Sequence, residues 1–246
     1  MSQILHKKTA SFFKLQKNGH VLFWLGIQHS RDDTHPQFLA LKNKWNVFLK
    51  CAHSPLVVLE YLDNSTYTDS KTAIHEAGEA AYMLFLSKLA KIPATCFEPD
   101  RHHEMNYLAG LFGRERVEYY YFARAVAQWY RIIKEGSIEK YVSPFLRRDQ
   151  IASEWDDFDF SVTHMAHIHK NLFGNRLKLE DKKFFLKIED PTRKDNPLQA
   201  VVRKSGAFRD DFVIQNVKFA MRNNDIFMVY GRGHQKAHQK KIARLS

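Results

Sequence analysis

Four side chains of the types that move protons or hold metals each follow an apolar run. His29 ends VLFWLGIQH, Glu60 sits at the close of LVVLEY, Glu98 follows ATCF and His234 follows IFMVYGRG. A neutral imidazole accepts a proton near pH 7 or ligates a metal. A carboxylate orients an imidazole, acts as a base or serves as a hard ligand. His29, Glu60 and His234 together would therefore make an acid–base site, or a ligand set for a divalent metal such as Mn²⁺ or Zn²⁺. Each histidine stands three residues after a glycine, Gly26 or Gly231. Glycine there gives the backbone room to turn and lets a substrate approach the main chain.

The elements that must position these residues are legible in the apolar pattern. The runs 21–27, 56–61, 94–97 and 226–230 are short, continuous and apolar, as buried strands of a parallel sheet are. Apolar residues recur at helical spacing over 37–51, 71–91, 102–112, 115–135, 161–173 and 208–221, and a basic helix is expected to finish the chain. The alternation implies an α/β fold, a mainly parallel sheet flanked by helices with right-handed crossovers. Over 136–206 the pattern weakens, and a helical or irregular insertion, or a lid, is expected there within a single domain of residues 1–246. Ligands of open parallel sheets bind beyond the carboxyl ends of the strands, which is where all four candidate residues fall.

The paired G-x-x-H motifs, Gly26-Ile27-Gln28-His29 and Gly231-Arg232-Gly233-His234, come with Glu60 at a strand end and Arg209-Asp210 before the last strand. This set resembles the superfamily of erythromycin esterases, TIKI proteins and TraB-like proteins, which also contains haem-binding ChaN-like proteins. The resemblance spans residues 21–111 and 206–246 and implies that His29, Glu60 and His234 line a catalytic site. Arg209-Asp210 resembles the grouping's R-[DN] motif; these two, together with Glu98 at its own strand end, are expected to bind substrate or support those residues. Erythromycin esterases carry Glu three residues before the first motif histidine; Gly26 stands there here, which favours the TIKI or TraB-like form. The activity implied is that of a hydrolase acting on a small-molecule or peptide substrate. The rival classes are a binding protein for haem, metal or a small ligand, and a basic nucleic-acid-associated or effector protein.

Other polar groups read more plainly. His75-Glu76 begins like H-E-x-x-H, but Glu79 occupies the last position, so the zincin motif is incomplete and is not favoured. Glu79 reads as a solvated helical acid and the cluster His164, His167 and His169 as a polar helix face. His102 and His103 read as exposed residues at a helix start, and Tyr119, Tyr120 and Tyr121 as core. Two cysteines, Cys51 and Cys96, exclude a disulfide framework. The net charge of +11 suits an acidic substrate or partner; nucleic acid is the less favoured of these, since no nucleic-acid-binding signature accompanies it. The early residues lack a signal-peptide core and no run is apolar enough to span a membrane, so a soluble cytoplasmic protein is expected.

Overall fold

The computed structural model describes residues 10–62, 65–188, 190, 193 and 196–243. Residues 1–9, and parts of the expected polar loops and of the basic tail (63–64, 189, 191–192, 194–195, 244–246), lie outside the described residues. The chain divides into two compact units, Met1–Glu98 with Asp210–Ser246, and Pro99–Arg209.

The first unit is an α/β layer structure. Its strands are β1 (Ser11–Lys17), β2 (His20–Ile27), β3 (Pro55–Leu59), β4 (Ala94–Cys96) and β5 (Asp225–Gly231), in the order β1-β2-β5-β3-β4. All pairs are parallel except β1 with β2. That antiparallel hairpin, absent from the sequence expectation, turns through Asn18 and Gly19, both at positive φ (51° and 82°). Such a turn matches the right-handed strand twist and favours Asn-Gly. β1 alternates half-buried and exposed residues, as an edge strand does.

The central strands are apolar on both sides because helices cover both. Phe23, Leu25, Val57, Leu59, Phe227 and Val229 pack with Phe38, Leu41, Trp45 and Phe48 of α1 (Pro36–Cys51) and with Ile74 and Met83 of α2 (Ser70–Leu89). Leu22, Trp24, Val58, Met228 and Tyr230 face the opposite way. They meet Val213 and Val217 of α8 (Gln199–Ala220) and Ile242 of α9 (Arg232–Ala243). Successive residues of one strand thus feed opposite cores, as the period of two demands. At the amino-terminal edge, Asp225 ties three segments together. Its carboxylate accepts from the backbone N–H of Val21 (2.8 Å), His53 (2.7 Å) and Ser54 (3.1 Å).

The chain leaves β2 and β3 for α1 and α2 on one face, and β5, between them, for α9 on the other. Parallel strands whose exits part in this way open a crevice at their carboxyl ends.

The second unit is helical: α3 (Arg101–Phe112), α4 (Arg114–Ile132), α5 (Ile138–Ser153), α6 (Val162–Phe173), α7 (Lys182–Ile188) and the start of α8. Helix α5 runs through Pro144, inside the stretch where the sequence pattern weakens. The core holds Tyr119, Tyr120, Tyr121, Phe122, Trp155 and Phe185, so the tyrosines pack as expected. Arg101 grips the buried Asp149 with two hydrogen bonds, 2.9 and 2.7 Å. Among the described residues, no helix is long and apolar enough to cross a membrane.

Candidate acid–base site at the sheet edge

The carboxyl edge of the sheet is organised around Gly231, the last residue of β5. Its register partner is Ile27, at the end of β2. A Cβ placed on Gly231 would lie 3.4 Å from Oε2 of Glu60, 3.4 Å from Nε2 of His29 and 3.8 Å from Cδ2 of His234. Three side chains from three strand ends therefore surround one bare Cα, and all three were expected from the sequence to meet there. The N–H of Gly231 donates to Oε2 of Glu60 (2.8 Å), which fixes that carboxylate over the strand.

Each imidazole is held from behind by a carboxylate. Oε1 of Glu79 lies 2.5 Å from Nδ1 of His29, and its Oε2 accepts from the backbone N–H of Ser30 (3.4 Å). Glu79 is buried, whereas the His29 side chain is 65% exposed. The ring is thereby anchored on one edge and open on the other. The bond from Glu79 raises the pKa of His29 above its ordinary value; partial burial opposes this, and the charges of Glu79 and Glu60 add to the rise.

On the other side, Nδ1 of His234 lies 3.3 Å from Oδ1 of Asp210, and its Nε2 lies 3.7 Å from Oε1 of Glu60. The same Oδ1 of Asp210 is 2.5 Å from Nε2 of His238, a fully buried ring packed against Trp24 at 5.1 Å. Among the described residues, Nδ1 of His238 has no partner. The Nε2 edge is therefore the one that donates, to the Asp210 carboxylate. Burial alone would raise the pKa of Asp210, but the bonds from His234 and His238 outweigh it and hold the carboxyl far below the usual range.

Local sequence explains how these groups arrive. Helix α2 breaks at Gly78, which takes φ 72° and ψ −145°. A Cβ there would lie 2.9 Å from the carbonyl oxygen of Ser30. Only glycine admits that φ together with so close an approach, and the break delivers Glu79 beneath the loop that carries His29. His234 and His238 are four residues apart on α9 and share one face.

One expected residue plays another part. The space over Gly26, assigned to substrate approach, is filled: a Cβ there would lie 2.5 Å from Oγ of Ser11 and 2.6 Å from Oε1 of Gln235. Gly26 lets β1 and α9 close onto β2. Glu98 follows β4, the edge strand beyond β3, and its backbone N–H donates to Sγ of Cys96 (3.4 Å). Arg209 belongs to the helical unit and Asp210 to the sheet unit; the carboxylate of Asp210 is the one set against His234. Glu79 is a buried partner of His29, not a solvated acid.

The metal expectation meets a different grouping. Among the described residues, those whose ligand atoms lie within 4.8 Å of one another are Asp210, His234 and His238. The expected trio of His29, Glu60 and His234 is more widely spaced. In the compact group Nδ1 of His234 and Nε2 of His238 both face Oδ1 of Asp210 at hydrogen-bond distance. No family model, curated protein or solved structure matches the chain.

Proposed function

We propose that the chain is a hydrolase that uses a two-histidine acid–base pair. The single observation that carries this reading is the convergence of His29, Glu60 and His234 on the bare Cα of Gly231. Nε2 of His29 takes a proton from water as the water adds to the substrate. Glu79 holds Nδ1 and stabilises the imidazolium that forms. His234, between Asp210 and Glu60, returns a proton to the leaving group. Glu60, bound to the N–H of Gly231, keeps that ring in place. The resemblance to the erythromycin esterase and TIKI grouping points to the same chemistry on a small-molecule or peptide substrate. No step is routed through Mn²⁺ or Zn²⁺, because the expected ligand trio does not close into a compact set.

The test is turnover of a panel of esters, peptides and phosphoesters by the wild-type chain, His29→Ala and His234→Ala, with metal content measured in parallel. Turnover by the wild type that falls at least ~100-fold in both variants supports the reading. Turnover that neither variant alters, or none on any substrate class, overturns it. Bound metal that is lost in His238→Ala would move the chemistry to the Asp210 group.

A further inference from the structure

The helical unit contains a second polar construction that the hydrolase reading does not use. Tyr119, on α4, is buried in the core, and its hydroxyl lies 2.5 Å from Nδ1 of His169 on α6. Burial pushes the Tyr119 hydroxyl far above its usual value, so it keeps its proton and donates. Nδ1 of His169 is then the acceptor, and Nε2 carries the hydrogen. That N–H donates to Oδ1 of Asn175 at 2.7 Å. Burial pushes the His169 pKa down, consistent with the neutral ring this chain of bonds requires. The relay fixes the amide of Asn175: its oxygen is engaged, and its two N–H donors remain.

Asn175 and His169 line a cavity of about 350 Å³ with Arg176, Lys178, Asp181 and Phe184. That is within the size range of small-molecule sites. Among the described residues, the side chains of Arg176 and Lys178 make no ion pair, while Asp181 is engaged at the start of α7, accepting from the N–H of Phe184 (2.9 Å). Phe184 packs on His169 at 5.2 Å and forms an apolar wall. The cavity therefore offers two cations outside any ion pair, an oriented neutral donor pair and one ring, beside the capping carboxylate of Asp181.

We propose that this cavity between α6 and α7 binds a small phosphomonoester, with Arg176, Lys178 and the Asn175 amide around the phosphate and Phe184 beside the organic group. A phosphomonoester carries nearly two charges at neutral pH and three strong acceptor oxygens. Two cations and two fixed N–H donors match it better than they match a single carboxylate. The site lies wholly within residues 119–184 and does not depend on the reaction at the sheet edge.

The experiment is calorimetric titration of the full chain with phenyl phosphate and with benzoate at low ionic strength. The variants are Arg176→Gln/Lys178→Gln and Asn175→Asp, with circular dichroism to check the fold. The expected result is one saturable phenyl phosphate site, tighter than benzoate. Its affinity should drop about tenfold or more in each variant, the scale of one lost charge-assisted hydrogen bond. Undiminished binding in the folded variants would place the phosphate elsewhere on the basic surface and overturn the proposal. No saturable binding by the wild type, or benzoate binding as tightly, also overturns it.

Discussion

Nδ1 of His29, on an exposed ring, lies 2.5 Å from the carboxylate of the buried Glu79, fifty positions further along the chain. The pairing gives His29 a raised pKa, and the sign of the effect fixes a pH dependence. As a base, His29 works in its neutral form, so the limb of kcat/KM that it controls should rise through a pH above the ordinary value of 6.5. In Glu79→Gln that limb should move to lower pH. The pair's contribution to stability has the matching sign. It is fully present below pH 6.5 and is lost as pH rises through the folded-state value. A pH–rate profile for both proteins checks the first statement, and an unmoved limb refutes it.

Gly231→Ala separates folding from chemistry. The added methyl would meet Glu60, His29 and His234 at 3.4, 3.4 and 3.8 Å, ordinary packing distances. Stability should change by less than ~1 kcal/mol. The methyl would nevertheless occupy the point on which the three side chains converge, and turnover should fall by about 100-fold or more. Chemical denaturation and kinetics on the same preparation decide it; a fully active variant would mean that the reacting atoms sit elsewhere.

The strands and the meeting of His29, Glu60 and His234 were legible because each residue directly follows an apolar run, and a parallel sheet collects the ends of such runs on one edge. The hairpin partner β1 was also written in the sequence, in Asn18-Gly19, but its alternation is polar and weak. Glu79 was hidden for a physical reason. Helical periodicity across 71–91 is continuous in apolar residues, and only the left-handed Gly78 reveals that the helix breaks and turns the acid inward. His238 carried a usable signal, its four-residue spacing from His234 on a helix. A basic tail masked it. Helix α5 was obscured by Pro144.

His238 should act on the site through Asp210. In His238→Leu the half-buried carboxylate of Asp210 loses its shortest bond, 2.5 Å, and keeps the longer one to His234. A cost of about 1–3 kcal/mol in stability is expected for leaving that acceptor partly unsatisfied. His238→Gln, which can still donate to Asp210, should recover most of it. A purely packing role against Trp24 would instead make the leucine variant the better of the two. Urea denaturation of both variants gives the answer, and kcat measured alongside should follow the same order.

The tie at the opposite edge of the sheet predicts acid sensitivity. Burial alone would raise the pKa of Asp225, but the backbone N–H groups of Val21, His53 and Ser54 outweigh it and lower the pKa below 3.8. A lowered carboxyl stabilises the fold above its unfolded value and loses that contribution as pH falls through the folded one. Asp225→Ala should therefore cost about 1–3 kcal/mol at neutral pH, because three N–H donors, one from β2 and two from the loop before β3, lose one charged acceptor. The gap between variant and wild type should narrow as pH falls below 3.8 and through the lowered folded-state value, where the wild-type carboxylate itself becomes protonated. Asp225→Asn keeps one acceptor oxygen and should fall between the two at neutral pH, with a shallower dependence on pH. Denaturant midpoints across this range test the argument. A penalty for Asp225→Ala that stays constant from neutral pH down to acid would show that the residue supports the edge by shape alone, and not by its charge.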